Sequence, residues 1–291
     1  MTLHQPARMI DTHQHLWVLS ERSYSWVTPE TGPLYRDFRP EDVAAEIAAA
    51  GVTGTVLVQA ADTYDDTVYM LSVAAQQNTV IGVVGWVPLD RPEEAAFALD
   101  LYAHFPALRG IRVLNHNYAD PSWLLRDDVY RGIELLAPRG LTLDVVSVLP
   151  EHLDSIEKLA GRHPQLTIVL DHLAKPDIAG HGWEPWATQM TDVAAHSNVV
   201  VKLSGLSTSS AGGWTYNDWQ PYVDHVLTQF GSDRVMLGSD WPVSTLSGDF
   251  VGVWQAQREV IAGLPTDEQD DILFRTAERV YSLPATEGTG S

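Results

Sequence analysis

The feature that most constrains this chain is a regular alternation of short apolar segments with longer amphipathic ones. The short segments are rich in Val, Ile and Leu, and there are eight: residues 9–15, 54–60, 80–87, 110–114, 141–148, 166–172, 198–205 and 234–240. The segments between them carry apolar residues at the three- and four-residue spacing of helices: 40–50, 65–77, 93–104, 129–137, 153–162, 186–195, 219–230 and 250–262. Short apolar strands that alternate with helices predict parallel βαβ units.

Eight such units predict an α/β fold, a single (β/α)8 TIM barrel that takes up the whole chain of 291 residues as one domain. We expect its core at about residues 9–284 and a flexible tail at residues 286–291. An open, doubly wound sheet is the competing architecture. It is disfavoured because no Gly-rich turn follows the first strand, and because polar residues end many different strands. A barrel brings all those strand ends together, whereas an open sheet gathers ligands at one switch point.

Composition excludes several functional classes. The net charge is −20, from 18 Lys and Arg against 38 Asp and Glu, and no basic stripe is present, which argues against nucleic acid or an anionic membrane as a partner. The absence of Cys excludes disulfides, thiol nucleophiles and Cys-ligated metals. No apolar run reaches the ~18 residues of a membrane span, and no apolar leader segment follows the start. We therefore expect a cytoplasmic protein that binds a small-molecule substrate, either as a monomer or as a homo-oligomer.

Candidate catalytic residues lie at the ends of the predicted strands. His13 and His15 are two residues apart, so their side chains share one face of the first strand, which in a barrel points inward. His172 ends the sixth strand and Asp240 the eighth, while Arg112 lies within the fourth, where an inward charge needs a partner. Each residue alone has an ordinary structural explanation, such as helix capping or a satisfied core histidine. Together they indicate an active site.

Other polar and aromatic residues near the strand ends are candidate substrate contacts. Lys202 interrupts an apolar run on the seventh strand, and Asp11 shares the face of the two histidines, where it could orient an imidazole. The remaining candidates offer aromatic rings for stacking or polar groups for hydrogen bonds to a ligand: Trp17, Gln59, Trp86, Asn115, His116 and Trp241. Packing at the rim explains the tryptophans equally well. Two long aromatic connections, residues 16–40 and 206–218, follow strands and are expected to cover the same end of the barrel.

Three motifs carry a resemblance to a known family: Asp-Thr-His-Gln-His-Leu-Trp at 11–17, Leu-Asp-His-x-x-Lys-Pro at 170–176 and Gly-Ser-Asp-Trp-Pro at 238–242. In this order they resemble the amidohydrolase superfamily. Val-Gly-Trp-Val, Leu-Arg-Gly-Ile-Arg and Val-x-Lys-Leu-Ser-Gly-Leu are similar to the branch that contains sugar-acid lactonases and a pyrone-dicarboxylate lactonase. The resemblance covers about residues 9–284. It implies a (β/α)8 barrel that hydrolyses a small lactone, most plausibly of a sugar acid.

The chain departs from that superfamily at the metal site. Many members hold two metals through a Lys or Glu on strand four and a His on strand five, but here those strands offer Arg112 and Asp144. The resemblance therefore implies either no required cofactor or one divalent ion, zinc first, on His13, His15 and Asp240.

The resemblance also implies how the candidate residues share the chemistry. Asp240 is expected to act as the general base that activates water. The groups expected to stabilise the carbonyl oxygen are His13, His15, His172 and Arg112. Three alternatives remain open at this point: a zinc-dependent non-oxidative decarboxylase of the same superfamily, a hydrolase of another C–O or C–N bond, and a non-catalytic binding protein.

Overall fold

The computed structural model describes residues 3–284, so the predicted flexible tail lies outside the described residues. Eight parallel strands form one sheet in sequential order. They are β1 Ile10–Gln14, β2 Gly54–Val58, β3 Val80–Gly85, β4 Leu108–Val113, β5 Thr142–Val146, β6 Ile168–Asp171, β7 Val199–Leu203 and β8 Val235–Leu237. Asp240 N donates to His13 O (2.8 Å) and His15 N donates to Trp241 O (2.7 Å), which joins the chain after β8 to β1. The predicted (β/α)8 barrel is confirmed.

Helices follow the strands and surround the sheet. They are α1 Pro40–Ala50, α2 Tyr64–Ala74, α3 Pro92–Tyr102, α4 Asp127–Ile133, α5 Pro150–Arg162, α6 Trp186–Ala194, α7 Tyr216–Phe230, α8 Phe250–Val260, α9 Thr266–Asp270 and α10 Thr276–Val280. The first eight match the predicted helices to within a few residues, whereas α9 and α10 were not predicted. Among residues 3–284, no helix combines the length and apolarity that crossing a membrane requires.

Local sequence sets several helix boundaries. The Thr63 side chain accepts a hydrogen bond from Asp66 N before α2, and the Asp249 carboxylate accepts one from Gly252 N before α8. Both are N-caps, which satisfy amide groups that have no partner inside the helix. Helix α1 ends at Gly51, whose φ of 73° is a conformation that favours glycine.

The two faces of the strands separate two apolar layers. Residues such as Leu143 and Val201 face the helices and belong to the main core. A second, smaller cluster fills the barrel interior with Ile10, Val56, Val58, Val84, Val169, Val200 and Met236. Ala277, Tyr281 and Leu283 pack against this inner cluster, so the C-terminal segment closes the end of the barrel where the strands begin. The opposite end, where the strands finish, is left for a site.

Candidate active site

Four side chains converge where β1, β6 and β8 end. The Nε2 atoms of His13, His15 and His172 lie 3.9, 3.5 and 3.9 Å from Asp240 Oδ1. The Nε2 atoms of His13 and His15 are 3.2 Å apart. All four residues are at most 4% exposed. The structure thus brings together the four residues that the strand ends predicted.

Unusual backbone conformations deliver two of these groups. Asp240 has a φ of 57°, and four consecutive residues from His172 to Lys175 have φ between 49° and 57°. Non-glycine residues pay about 1–2 kcal/mol each for this left-handed region, and such strain is concentrated at functional sites. Gly205 has a φ of 63°, and a Cβ on it would lie 2.7 Å from His172 Nδ1. The glycine after β7 is therefore required by the close approach of His172.

Each imidazole is held at its outer nitrogen. His15 Nδ1 donates to the Val58 carbonyl at 2.8 Å, which leaves Nε2 of a neutral His15 as an acceptor. His172 Nδ1 lies 2.9 Å from Ser204 Oγ, and His13 Nδ1 lies 3.2 Å from Asp171 Oδ1. These contacts turn all three Nε2 atoms toward Asp240.

Electrostatics favour the neutral form of two of the imidazoles and the ionised form of the carboxylate. Burial lowers the pKa of His13 and of His172 well below the ordinary value. Burial alone would raise the pKa of Asp240, but His172 and His15 outweigh it and the pKa is lowered. At neutral pH the site therefore presents the Asp240 carboxylate beside the neutral rings of His13 and His172, an arrangement suited to a general base.

A layer of paired charges lies beneath these groups. Lys202 Nζ donates to Asp144 Oδ2 at 2.7 Å and lies 3.3 Å from Asp171 Oδ1. Arg112 Nε lies 2.9 Å from Asp171 Oδ2, so the predicted need of Arg112 for a partner is met. Burial would raise the pKa of Asp171, but Lys202, His13 and Arg112 outweigh it and hold the pKa well below its ordinary value. Asp171 is thus a hub between the charges and the active site, a role that sequence reasoning missed.

Two predicted roles need correction. Lys202 is fully buried and does not line the cavity, because two carboxylates hold its ammonium group below the site. Asp11 orients no imidazole: its carboxylate accepts from Ser239 N (2.7 Å), Ser239 Oγ (2.6 Å) and His13 N (3.1 Å). Asp11 therefore ties β1 to the segment after β8, and burial raises its pKa to about 6.

A cavity of about 190 Å³ opens above the converging groups. Its walls are His15, Trp26, Ala60, Arg112, Leu114, His116, Asn117, Val146, His172, Lys175, Asp240 and Val243. His13 stands behind His15 and does not reach the wall. Of the predicted substrate contacts, only His116 lines this cavity, and burial with the nearby Arg112 lowers its pKa to about 4. His116 is therefore a neutral hydrogen-bonding group.

The other predicted substrate contacts lie off the cavity wall: Trp17, Gln59, Trp86, Asn115 and Trp241. Trp17 is fully buried, and its Nε1 donates to Arg36 O at 2.8 Å. Trp17 and Trp241 both pack edge-on against Phe38, with ring centroids 5.0 and 5.3 Å from it. The packing explanation therefore holds for these two tryptophans.

Hydrogen bonds, ring packing or burial explain the positions of the last three, Gln59, Trp86 and Asn115. Gln59 Nε2 donates to Asp62 Oδ1 at 2.9 Å, and the Gln59 carbonyl accepts from Arg112 at 2.9 Å. Trp86 packs edge-on against Tyr64, with centroids 5.2 Å apart. Asn115 is only 2% exposed.

Two cavity residues were missed as substrate contacts. Trp26 belongs to the long aromatic connection after β1, and its Nε1 donates to Ala60 O at 2.7 Å, which fixes the ring at the wall. Lys175 belongs to the Leu-Asp-His-x-x-Lys-Pro motif and makes no ion pair within residues 3–284. The sequence held a signal for each of them. Trp26 lies in a loop that follows a strand, and Lys175 lies three residues after a histidine at the end of a strand.

The donor set fits one divalent metal ion. His13, His15 and Asp240 each offer one ligand atom, and these atoms lie within 4.8 Å of one another. Two imidazoles and a carboxylate are ligands that zinc accepts, and both imidazoles are held at Nδ1 by oxygen atoms, as metal-binding histidines usually are. The strand-four and strand-five positions that could hold a second ion are occupied by Arg112 and by Asp144, which is paired with Lys202.

Comparison with known proteins shows which family the chain belongs to. Residues 10–283 match the amidohydrolase family. The chain is 40% identical to an L-fucono-1,5-lactonase of Burkholderia ambifaria over 249 residues, 85% of each chain. It is 31% identical to an L-fucono-1,5-lactonase of Burkholderia multivorans, covering 96% and 97% of the two chains. A zinc-bound crystal structure of an amidohydrolase from Burkholderia multivorans superposes with a TM-score of 0.88 at 30% identity, covering 96% of this chain and 100% of that one. The chain therefore belongs to the amidohydrolase family.

Proposed function

We propose that this protein hydrolyses a small sugar-acid lactone, with Asp240 as the base that activates the attacking water. The observation that carries the proposal is the convergence of one carboxylate and three imidazoles beside a cavity. Opening a lactone needs a water made nucleophilic and a carbonyl made electrophilic, and the site contains groups for both tasks. The similarity to two L-fucono-1,5-lactonases supports the same reaction class.

Asp240 carries the proton in this mechanism. Its carboxylate lies on the cavity wall, and the neighbouring imidazoles favour its ionised form. It accepts a proton from water as the oxygen attacks the lactone carbonyl. The ring C–O bond then breaks, and the same proton passes to the leaving alkoxide, so that one lactone and one water give one hydroxy acid.

The cavity wall stabilises the developing negative charge on the carbonyl oxygen. Arg112 and Lys175 are the cations on that wall, but Arg112 is already paired with Asp171. Lys175 is therefore the cation available to the carbonyl oxygen or to the product carboxylate. His15 and His172 complete the polar wall around the reacting carbon. Removing one such donor typically lowers the rate by about 10²–10³-fold.

One divalent ion fits the same site, and zinc is our first candidate. His13, His15 and Asp240 would hold it, and it would supply Lewis-acid polarisation of the carbonyl. The zinc in the related amidohydrolase of Burkholderia multivorans supports this identity. A single ion is favoured because Arg112 on β4 and the paired Asp144 on β5 occupy positions that could otherwise supply ligands for a second ion.

The cavity favours a polyhydroxylated ring over a flat aromatic dicarboxylate. A dicarboxylate is best bound by several Arg residues that form bidentate pairs, and the wall has only Arg112, which Asp171 engages. Neutral groups such as His116 and Asn117 suit hydroxyls, and Trp26 offers a ring face. The volume of about 190 Å³ suits one small ring.

A hydrolysis screen tests this function directly. Acid release is measured with a pH indicator across L-fucono-, L-rhamnono- and galactono-type lactones and a pyrone dicarboxylate, with metal content determined on the same sample. We expect the sugar lactones to have the higher kcat/KM, and at most one metal per chain. A tenfold preference for the pyrone overturns the substrate class, and two tightly held metals overturn the single-ion site. Carbon dioxide release from an aromatic acid, without lactone opening, identifies a decarboxylase instead.

A further inference from the structure

A continuous chain of buried polar contacts runs from the C-terminal segment to the active site. The Tyr281 hydroxyl donates to Asp144 Oδ2 at 2.6 Å, and Lys202 Nζ donates to the same oxygen at 2.7 Å. Lys202 Nζ also lies 3.3 Å from Asp171 Oδ1 and 3.3 Å from His13 Nδ1. His13 in turn contacts His15 through Nε2. The chain thus connects the segment after α10 with the catalytic end of the barrel.

These groups are buried where apolar side chains would ordinarily fill a barrel. Lys202, Asp144 and Asp171 have no exposed surface, and Tyr281 is 1% exposed. Taking charges out of water is expensive, and buried ion pairs are often no more stable than apolar residues of the same size. Stability alone is therefore a poor reason for this layer. Burial and the Asp144 carboxylate raise the pKa of Tyr281 well above its ordinary value, so its hydroxyl stays a donor.

The position of His13 depends on this layer. Within the described part of the chain, the polar side-chain atoms that meet His13 Nδ1 are those of Asp171 and Lys202. Lys202 is held in place by Asp144, whose Oδ2 accepts one hydrogen bond from Lys202 and one from Tyr281. Loss of the Tyr281 hydroxyl would remove one of these two hydrogen bonds and leave the one from Lys202. Such a loss would draw the ammonium group toward Asp144 and away from His13.

We propose that Tyr281 is a positioning residue, which acts through Asp144 and Lys202 to hold the His13 imidazole in place beside His15 and Asp240. The C-terminal segment then helps to position an active-site side chain and also closes the barrel at the end where the strands begin. The kinetic part of this inference rests on the proposed lactone hydrolysis, whereas its geometric part does not.

Tyr281→Phe is the sharpest test, because it keeps the ring that packs inside the barrel and removes only the hydroxyl. Tyr102→Phe is a matched control. Tyr102 is 6% exposed, and its hydroxyl is buried without a hydrogen-bond partner among residues 3–284. It lies on α3, outside the barrel, and belongs to the main core rather than the inner cluster.

Steady-state kinetics on the best lactone and urea unfolding are measured for both variants. We expect Tyr281→Phe to lower kcat by about tenfold with KM within about twofold, as for loss of an outer contact to a catalytic histidine. Tyr102→Phe should keep kcat. A Tyr281→Phe protein that is folded, less stable and unchanged in kcat shows that Tyr281 supports only the fold, and overturns the inference.

A second readout needs no substrate. Nitrogen-15 NMR of imidazole-labelled protein at one fixed pH reports the hydrogen bonding of each ring, with the His13 signals assigned through His13→Gln. We expect the His13 signals to shift in Tyr281→Phe and to stay in place in Tyr102→Phe. If wild type opens no lactone, the proposed function fails while this measurement still tests the inference. Unshifted His13 signals in Tyr281→Phe overturn the positioning role whatever the substrate.

Discussion

The cavity wall and the charged layer beneath it contain the same types of residue in opposite states. The chain has three lysines: Lys158 on the surface of α5, Lys175 on the wall and Lys202 in the layer. Lys202 is fully buried between two carboxylates, while Lys175 has no ion pair within the described residues. A charge that is already paired holds its neighbours in place. A charge left unpaired beside a cavity is available to a substrate.

The acidic residues show the same contrast. Asp144 accepts hydrogen bonds from Thr142, Lys202 and Tyr281, whereas Asp240 faces three imidazoles at 3.5–3.9 Å. Burial raises the pKa of Asp144, and the imidazoles lower that of Asp240. The difference teaches that pairing, rather than residue type, separates the groups proposed to act on substrate from those proposed to support them.

Asp240→Asn removes the acting group from the wall and should have the largest effect. An amide cannot take a proton from water, so we expect kcat to fall by about 10³-fold. Circular dichroism and the thermal midpoint should remain close to wild type. Activity within tenfold of wild type contradicts a role for Asp240 as the base.

Lys202→Met instead removes the ammonium group from the buried charged layer. It leaves Asp144 and Asp171 without their shared cation, and breaking a buried ion pair in this way costs about 3–5 kcal/mol in the free energy of unfolding. Urea unfolding measures the loss, with Lys158→Met as the control, because a substitution at that exposed lysine should change stability by less than about 0.5 kcal/mol. Equal stabilities for the two variants would mean that the layer is not a set of mutually dependent charges.

Lys175→Met makes the matching change on the wall. We expect kcat/KM to fall by about 10- to 100-fold, because a hydrogen bond to a charged group contributes about 1.5–3 kcal/mol. The free energy of unfolding should change by less than about 0.5 kcal/mol, since no carboxylate loses its partner. Lys202→Met should mainly lower stability, whereas Lys175→Met should mainly lower activity. A Lys175→Met protein with full activity and reduced stability would contradict this difference between the wall and the layer.

His116→Gln should give the smallest effect, a change in the pH dependence of stability. In the folded protein, burial and Arg112 lower the pKa of His116 to about 4, whereas 6.5 is its ordinary value. Between these values the unfolded chain takes up a proton that the folded protein refuses, so acid destabilises the wild type. From about pH 7.5 to about pH 5, urea unfolding should therefore shift in favour of the variant by about 1 kcal/mol, allowing for solvent screening at this partly exposed site. A shift in the opposite direction contradicts a neutral His116.

Much of the fold and the convergence of the candidate catalytic residues could be predicted because both rest on local patterns. The alternation of apolar runs and helices identified all eight strands, and the two-residue spacing of His13 and His15 placed both on one face. Prediction failed for α9 and α10, two five-residue helices in a segment where no strand–helix alternation marks their positions.

The substrate contacts were harder to predict, because a strand end does not reveal which way a large side chain turns. Trp17 lies in the expected loop, but its indole nitrogen donates a hydrogen bond to the Arg36 carbonyl in the same loop, and the ring is fully buried. Trp26, nine residues later, takes the position at the wall instead. Packing against partners distant in sequence decides between such neighbours.

By itself, the sequence determined the barrel, the family and the strand-end residues that meet at its mouth, because periodicity and motif spacing act along the chain. Only the tertiary structure decided which charges face the cavity and which neutralise one another. Lys202 meets Asp144 across 58 residues, and Tyr281 meets the same carboxylate across 137. A buried charge needs an oppositely charged partner, and that partner can lie far away in sequence. No local pattern in the chain therefore predicts which two residues pair.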